Sequence, residues 1–131
     1  SGGPASALEV CWVARPAAYR TGDGAEVPAE RIDLLARLLS AGRLHPGCSG
    51  AASIALAAAA ALPGTLVAEV ARTLPGVPTR IGHAGGTLAV GADVSWRDGR
   101  WQVERAVLSR SARRLMSGWV HVPPAGESAG A

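Results

Sequence analysis

No lysine occurs in the 131 residues, so all 13 basic side chains are arginines. This removes lysine general bases and Schiff bases from the chemistry the chain can perform by itself. Cysteine is nearly as scarce: Cys11 and Cys48 make neither a disulfide framework nor a metal-ligand spacing, and no metal site is expected. Long apolar runs are missing too. The longest, residues 54–62, is far too short to cross a bilayer. No basic-then-apolar segment precedes a cleavage site. These absences set the expectation of a soluble, cytoplasmic protein with no membrane partner.

What is present is a globular composition, 48% hydrophobic against 18% charged, which excludes disorder of the whole chain. The length supports one domain around a single modest core. The net charge is +3, and six arginines fall between Arg97 and Arg114. They alternate with Trp, Val and Leu, and Asp93, Asp98 and Glu104 lie among them. A nucleic-acid footprint needs a contiguous basic face with stacking aromatics, so no nucleic-acid partner is expected.

Residues 1–7 and 123–131 are small and polar enough to read as flexible ends, leaving 8–122 as the domain. Residues 8–14 read as a strand and 15–27, with Pro16, Gly22, Asp23 and Gly24, as a loop. Pro28 and Glu30 suit a first helical turn. Ile32, Leu35 and Leu39, flanked by Leu34 and Leu38, continue it as an amphipathic stripe that Gly42 would end. Residues 43–50 form a polar loop. Residues 51–62 then make a helix apolar on every face, which predicts burial on every face. Thr79 to Gly82 read as a strand before the turn His83-Ala84-Gly85-Gly86. Leu88, Val90, Ala92, Val94 and Trp96 alternate as a half-buried strand. Asp98-Gly99 signals a tight turn into residues 100–110, where Trp101, Val103 and Val107 are expected on one face. Residues 115–122 read as a last strand. The expected fold class is α+β, a sheet meandering around a buried Ala-rich helix.

The chemistry concentrates before that helix. Ser49 is a candidate N-cap, and Gly50 leaves its backbone N–H open, with Arg43 and His45 just upstream. A helix N-terminus can hold an anion such as a carboxylate, while plain capping by Ser49 is the competing reading. Cys48 can have its pKa lowered by the helix start or be a buried, inert thiol. Cys11 reads as packing. His45 and His83 lie beside Gly-rich turns, and His121 reads as surface. Gly85 and Gly86 permit a close approach by a ligand or another strand.

Several motifs, in order, resemble one family. Ile32-Asp33-Leu34-Leu35-Ala36-Arg37 and Ser40-Ala41-Gly42-Arg43-Leu44-His45 are two of them. Arg80-Ile81-Gly82-His83-Ala84-Gly85-Gly86 and the run from Ala106 to Gly118 are two more. Together they are similar to the PrpF isomerases. The resemblance implies a diaminopimelate-epimerase-like fold and cofactor-independent proton transfer on unsaturated acids such as methylaconitate or oxalomesaconate; some relatives shift double bonds in secondary metabolism. It implies Cys48 and His45 as catalytic residues. It implies Ser40, Arg43, Ser49, Gly50, Ala51, His83, Gly85 and Gly86 as substrate-binding residues. Departures are visible. The family's Ser-Met-Gly-Lys-x-His-His-Ala is changed at Ala41, Arg43, Pro46 and Gly47. Its His-Pro-Ser-Gly appears as His83-Ala84-Gly85-Gly86. Cys48 lies one position nearer the helix than the catalytic cysteine of epimerases of this fold. The match covers roughly the last third of the family pattern, so a homo-oligomer, partner chain or further domain is expected to complete the active site. The alternative is a non-catalytic binding or assembly module.

Overall fold

A computed structural model describes residues 9–122; the ends expected to be flexible, 1–7 and 123–131, lie outside the described residues. Strand β1 (Glu9–Ala14) is followed by a two-rung hairpin, β2 (Tyr19–Arg20) with β3 (Glu26–Val27), inside the segment expected to be a loop. Then come β4 (Leu34–Ser40), β5 (Arg43–Leu44), the helices α1 (Gly50–Ala61) and α2 (Leu66–Val70), and β6 (Thr79–His83), β7 (Gly86–Arg97) and β8 (Arg100–Leu108). The main sheet runs β1-β4-β6-β7-β8, with β5 folded back on β4; β4 and β6 are parallel and the other pairs antiparallel.

The segment expected to be an amphipathic helix over 28–39 is instead a single 3-10 turn, Ala29–Arg31, followed by the central strand β4. Its burial has period two: Leu34, Ala36 and Leu38 lie under α1, and Leu35, Arg37 and Leu39 face the other way. A strand covered on both faces carries a nearly continuous apolar run, and such a run also satisfies a helical stripe. Gly42 ends nothing helical. With Ala41 (φ 49°) it forms the left-handed pair (Gly42 φ 73°) of a two-residue turn joining Ser40 to Arg43. Asp33 ties this entry to β6: its carboxylate accepts from the Arg80 backbone N–H at 2.8 Å and from the guanidinium at 2.7 and 3.0 Å.

α1 lies on one face of the sheet. Ser53, Leu56, Ala57, Ala58 and Ala60 are buried, and Leu56 and Ala57 join Leu34, Ala36, Ile81 and Val90 in the core. The expectation of burial on every face is corrected, because Ala51, Ile54 and Ala55 are exposed where no strand of the described chain covers them. Asp98 (φ 52°) and Gly99 (φ 74°) form the expected tight turn between β7 and β8. The register then skips Glu104: Leu108, Ala106, Val103 and Trp101 oppose Val90, Ala92, Val94 and Trp96, while Val107 opposes Gly91. One extra residue reverses the alternation, so Val107 does not share the face of Trp101 and Val103. The last strand expected at 115–122 is also absent. Residues 109–122 have no regular structure, and no neighbouring strand receives them.

On the face away from α1, Gly82 is overlain by two side chains. A Cβ there would meet Ile32 Cδ1 and Tyr19 Cε1, each at 2.9 Å. Gly82→Ala is expected to destabilise the fold by about 1–3 kcal/mol, the usual cost of overpacking. Gly91→Ala, whose nearest neighbour would be Val107 Cβ at 3.6 Å, should cost less. Urea unfolding of both variants checks the difference.

Candidate active site

Ser49 is extended (φ −62°, ψ 154°) and starts α1 as its N-cap. Its Oγ accepts from the Ala52 N–H at 3.1 Å, and its carbonyl accepts from Ser53 N–H at 2.9 Å. The Gly50 and Ala51 N–H groups come too early in the helix to have intrahelical acceptors. Gly50 faces a crowded corner: a Cβ there would lie 3.4 Å from an Arg110 guanidinium nitrogen and 3.6 Å from Leu108 Cδ2. A cation beside the positive end of a helix is unfavourable by itself, and an anion between the two satisfies both. Ser49 Oγ also donates to Glu9 Oε2 at 3.2 Å, and Glu9 is the cross-strand partner of Ser40. Ser49 therefore caps α1, and the Gly50 and Ala51 N–H groups beside it lack intrahelical acceptors.

Two histidines stand in the loops at this end of α1 with the same local geometry. His45 Nδ1 accepts from the Gly47 N–H at 3.1 Å, and His83 Nδ1 accepts from the Gly85 N–H at 3.1 Å. His45 Nδ1 lies 3.1 Å from the Gly47 carbonyl oxygen as well as from its N–H, whereas His83 Nδ1 only accepts, so the neutral His83 ring carries its proton on Nε2. Burial, and then the charges of Arg37 and His45, hold His83 below the ordinary imidazole pKa of 6.5. In this form the His83 ring offers an N–H donor and no free basic lone pair. The two loops touch, since a Cβ at Gly85 would come within 2.8 Å of the Pro46 carbonyl oxygen. The close approach allowed by Gly85 is thus made by the 45–47 loop. The Gly86 carbonyl accepts from the Tyr19 hydroxyl, with Arg37 stacked 5.0 Å above that ring.

Cys48 is half-buried against the core, as is Cys11. Burial, followed by the proximity of Cys11 and Glu9, pushes the Cys48 thiol up to about 11, so the lowering anticipated from the helix start is overridden. At neutral pH this thiol can donate a proton but is not a standing nucleophile or base. Arg43 is exposed on β5, and His121 is exposed in the terminal segment. The fold therefore brings His45, Cys48, Ser49, Gly50, His83 and Gly85 to one end of α1. Ser40 joins through Glu9, Ala51 is exposed beside Gly50, and Arg43 stands on the outer hairpin. Sequence reasoning missed Glu9 and Arg110. Arg110 was visible only as one of several arginines, and nothing local marked Glu9. Among the described residues, no three His, Cys, Asp or Glu side chains converge as a metal cluster, and no helix is long and apolar enough to cross a membrane.

A family model described as PrpF protein matches residues 5–123. The chain belongs to the PrpF family. Among PrpF relatives, 2-methyl-aconitate isomerases from Cupriavidus necator and Shewanella oneidensis are each 46% identical over 115 residues, which is 88% of this chain and 29% of theirs. The 3-methylitaconate isomerase of Eubacterium barkeri is 36% identical over 118 residues, 88% of this chain and 30% of that protein. The crystal structure of a methylitaconate-delta-isomerase superposes with a TM-score of 0.71 at 32% identity, covering 86% of this chain and 29% of that one. The α+β, diaminopimelate-epimerase-like fold is shared, and the chain spans about 29% of the length of these PrpF relatives.

The thiol gives a direct check. Alkylation of Cys48 at pH 8 should be about a hundredfold slower than for a thiol of pKa 9.0, following the thiolate fraction at a pKa of about 11. Site-resolved mass spectrometry after timed iodoacetamide exposure measures this. Labelling as fast as in the unfolded chain would contradict the burial assigned to Cys48.

Proposed function

We propose that this chain supplies the carboxylate-binding, proton-donating half of a cofactor-independent isomerase that shifts a double bond in an unsaturated di- or tricarboxylate of the methylaconitate or methylitaconate type. The observation that carries the reading is the arrangement at the start of α1. Two helix N–H groups and the Arg110 guanidinium face one corner, with His45 and His83 in the loops at the same end of α1. The names of the relatives support the substrate class.

In this reading a substrate carboxylate sits on the Gly50 and Ala51 N–H groups between Ser49 and Arg110, with Ser40 and Arg43 at the rim. A base outside this chain removes a proton from the allylic carbon. The electron pair moves into a dienolate whose charge falls on a carboxylate oxygen. The Nε2–H groups of His83 and of the Nε2-protonated tautomer of His45 donate to that oxygen, as preorganised donors stabilise developing charge. The proton returns at the other end of the allyl system, from the conjugate acid of that base or from the Cys48 thiol, in which case the proton held by the base passes back to the Cys48 thiolate. No proton is gained or lost overall. The base belongs to a further domain, a partner chain or a second copy, and the reaction takes place in the cytoplasm without a cofactor. Residues 8–122 act as one domain in this reading. A second reading, a non-catalytic carboxylate-binding module, is favoured by the absence of lysine.

The test joins this chain to the missing portion of a PrpF-family isomerase and follows solvent-deuterium incorporation into methylitaconate. Exchange is expected, and Arg110→Ala should raise KM roughly 10–100-fold with a smaller effect on kcat, since a charge-assisted contact contributes about 1.5–3 kcal/mol. Arg43→Ala should raise it less. Binding of the acid without exchange would favour the module, and an unchanged KM in both variants would remove the carboxylate from this corner.

A further inference from the structure

The hairpin β2–β3 pairs only with itself and joins no other strand among the described residues. Two rungs are too few to hold such a hairpin together unaided, so what it docks against decides its shape. It docks against the turn that carries His83. The Gly22 N–H donates to the Ala84 carbonyl at 2.8 Å, and the Tyr19 hydroxyl donates to the Gly86 carbonyl. Gly82 gives the Tyr19 ring its seat, because a Cβ there would lie 2.9 Å from Cε1 and 3.0 Å from the hydroxyl oxygen. The Arg37 guanidinium covers that ring, 5.0 Å from its centroid. The 45–47 loop meets the same turn, where a Cβ at Gly85 would come within 2.8 Å of the Pro46 carbonyl oxygen. Gly86 (φ 134°) holds a conformation that residues with side chains rarely adopt.

We propose that this hairpin orients the His83 ring, with Tyr19 as the positioning residue. The link is one planar peptide group. Its carbonyl is that of Ala84 and its N–H is that of Gly85, and in a trans peptide the two point in opposite directions. With the oxygen held by the Gly22 N–H, the Gly85 N–H is aimed the other way, at His83 Nδ1, 3.1 Å distant. That donor fixes the ring's orientation and leaves its proton on Nε2. Tyr19 holds the hairpin in place by gripping the Gly86 carbonyl, two peptide groups further on. Burial pushes its phenol above the ordinary pKa of 10, against the smaller pull of the His83 backbone and Arg37, so it stays a donor at neutral pH. Tyr19 acts through His83 rather than on substrate. Its contribution to catalysis rests on the isomerase reading, whereas its hold on the ring does not.

Tyr19→Phe, which removes the hydroxyl and keeps the ring, tests both parts. Nitrogen NMR of the 131-residue chain at pH 8, where the lowered His83 pKa leaves the imidazole neutral, reads the tautomer. The Nε2–H form is expected in the parent and a mixture with the Nδ1–H form in the variant, with circular dichroism unchanged. Gly22→Pro, which deletes the N–H itself, should do the same. An unchanged tautomer in both variants would overturn the proposal. In the enzyme completed by the missing portion of a PrpF-family isomerase, Tyr19→Phe should lower kcat about tenfold with KM within about twofold, since a displaced donor is felt in the transition state. The same change in a His83→Ala background should have no further effect. An equal fall with or without the His83 imidazole would overturn the proposal, and so would an unchanged kcat. A completed enzyme with no exchange at all would defeat the isomerase reading, and the tautomer would still decide whether Tyr19 positions His83.

Discussion

The seating of α1 on the sheet is the constraint on which the rest of the structure depends. Ala57 and Ser53 are fully buried, and small side chains at these positions let the helix lie close to Leu34, Ile81 and Val90. Ser53 is polar yet satisfied, its Oγ donating to the Gly50 carbonyl at 2.9 Å. That seating fixes where the helix begins. Because β4, β6 and β8 meet the same core, the loops that leave them arrive at the same end of α1. A larger side chain at Ala57 would lift the axis and move the helix start away from His45 and His83 together.

The corner formed in this way is rich in donors and poor in bases. Helix N–H groups, a guanidinium and the His83 imidazole, whose Nδ1 is engaged as an acceptor, all present hydrogen or positive charge. The sulfur beside them keeps its proton. Glu9 is the nearby carboxylate, and its contact is with the N-cap hydroxyl. Such a set is suited to holding an acid and stabilising charge on it, not to starting a deprotonation. The chain spans 29% of the length of these PrpF relatives.

Legibility in the sequence followed how local each signal was. The Ser49 cap, the alanine helix and the Asp98-Gly99 turn rest on a few adjacent residues, and each was readable. The loops holding His45 and His83 were also recognisable, because glycine and proline mark them. The strand β4 was not, since a run that is apolar on both faces fits two periods and only the flanking strands decide between them. The skipped register at Glu104 depends on pairing with β7, which no single strand encodes. Residues 115–122 have strand composition, but composition cannot supply a neighbour. Glu9 and Arg110 reach the site through long-range packing and carry no motif.

The central claim is that the start of α1 receives a carboxylate, and amide-resolved NMR of the 131-residue chain titrated with cis-aconitate tests it most directly. Saturable shifts should centre on the Gly50 and Ala51 amides and on the His45 and His83 ring nitrogens, with the α1 C-terminus unmoved. Shifts spread evenly over the exposed arginines, or absent from Gly50 and Ala51 at saturating acid, would contradict it.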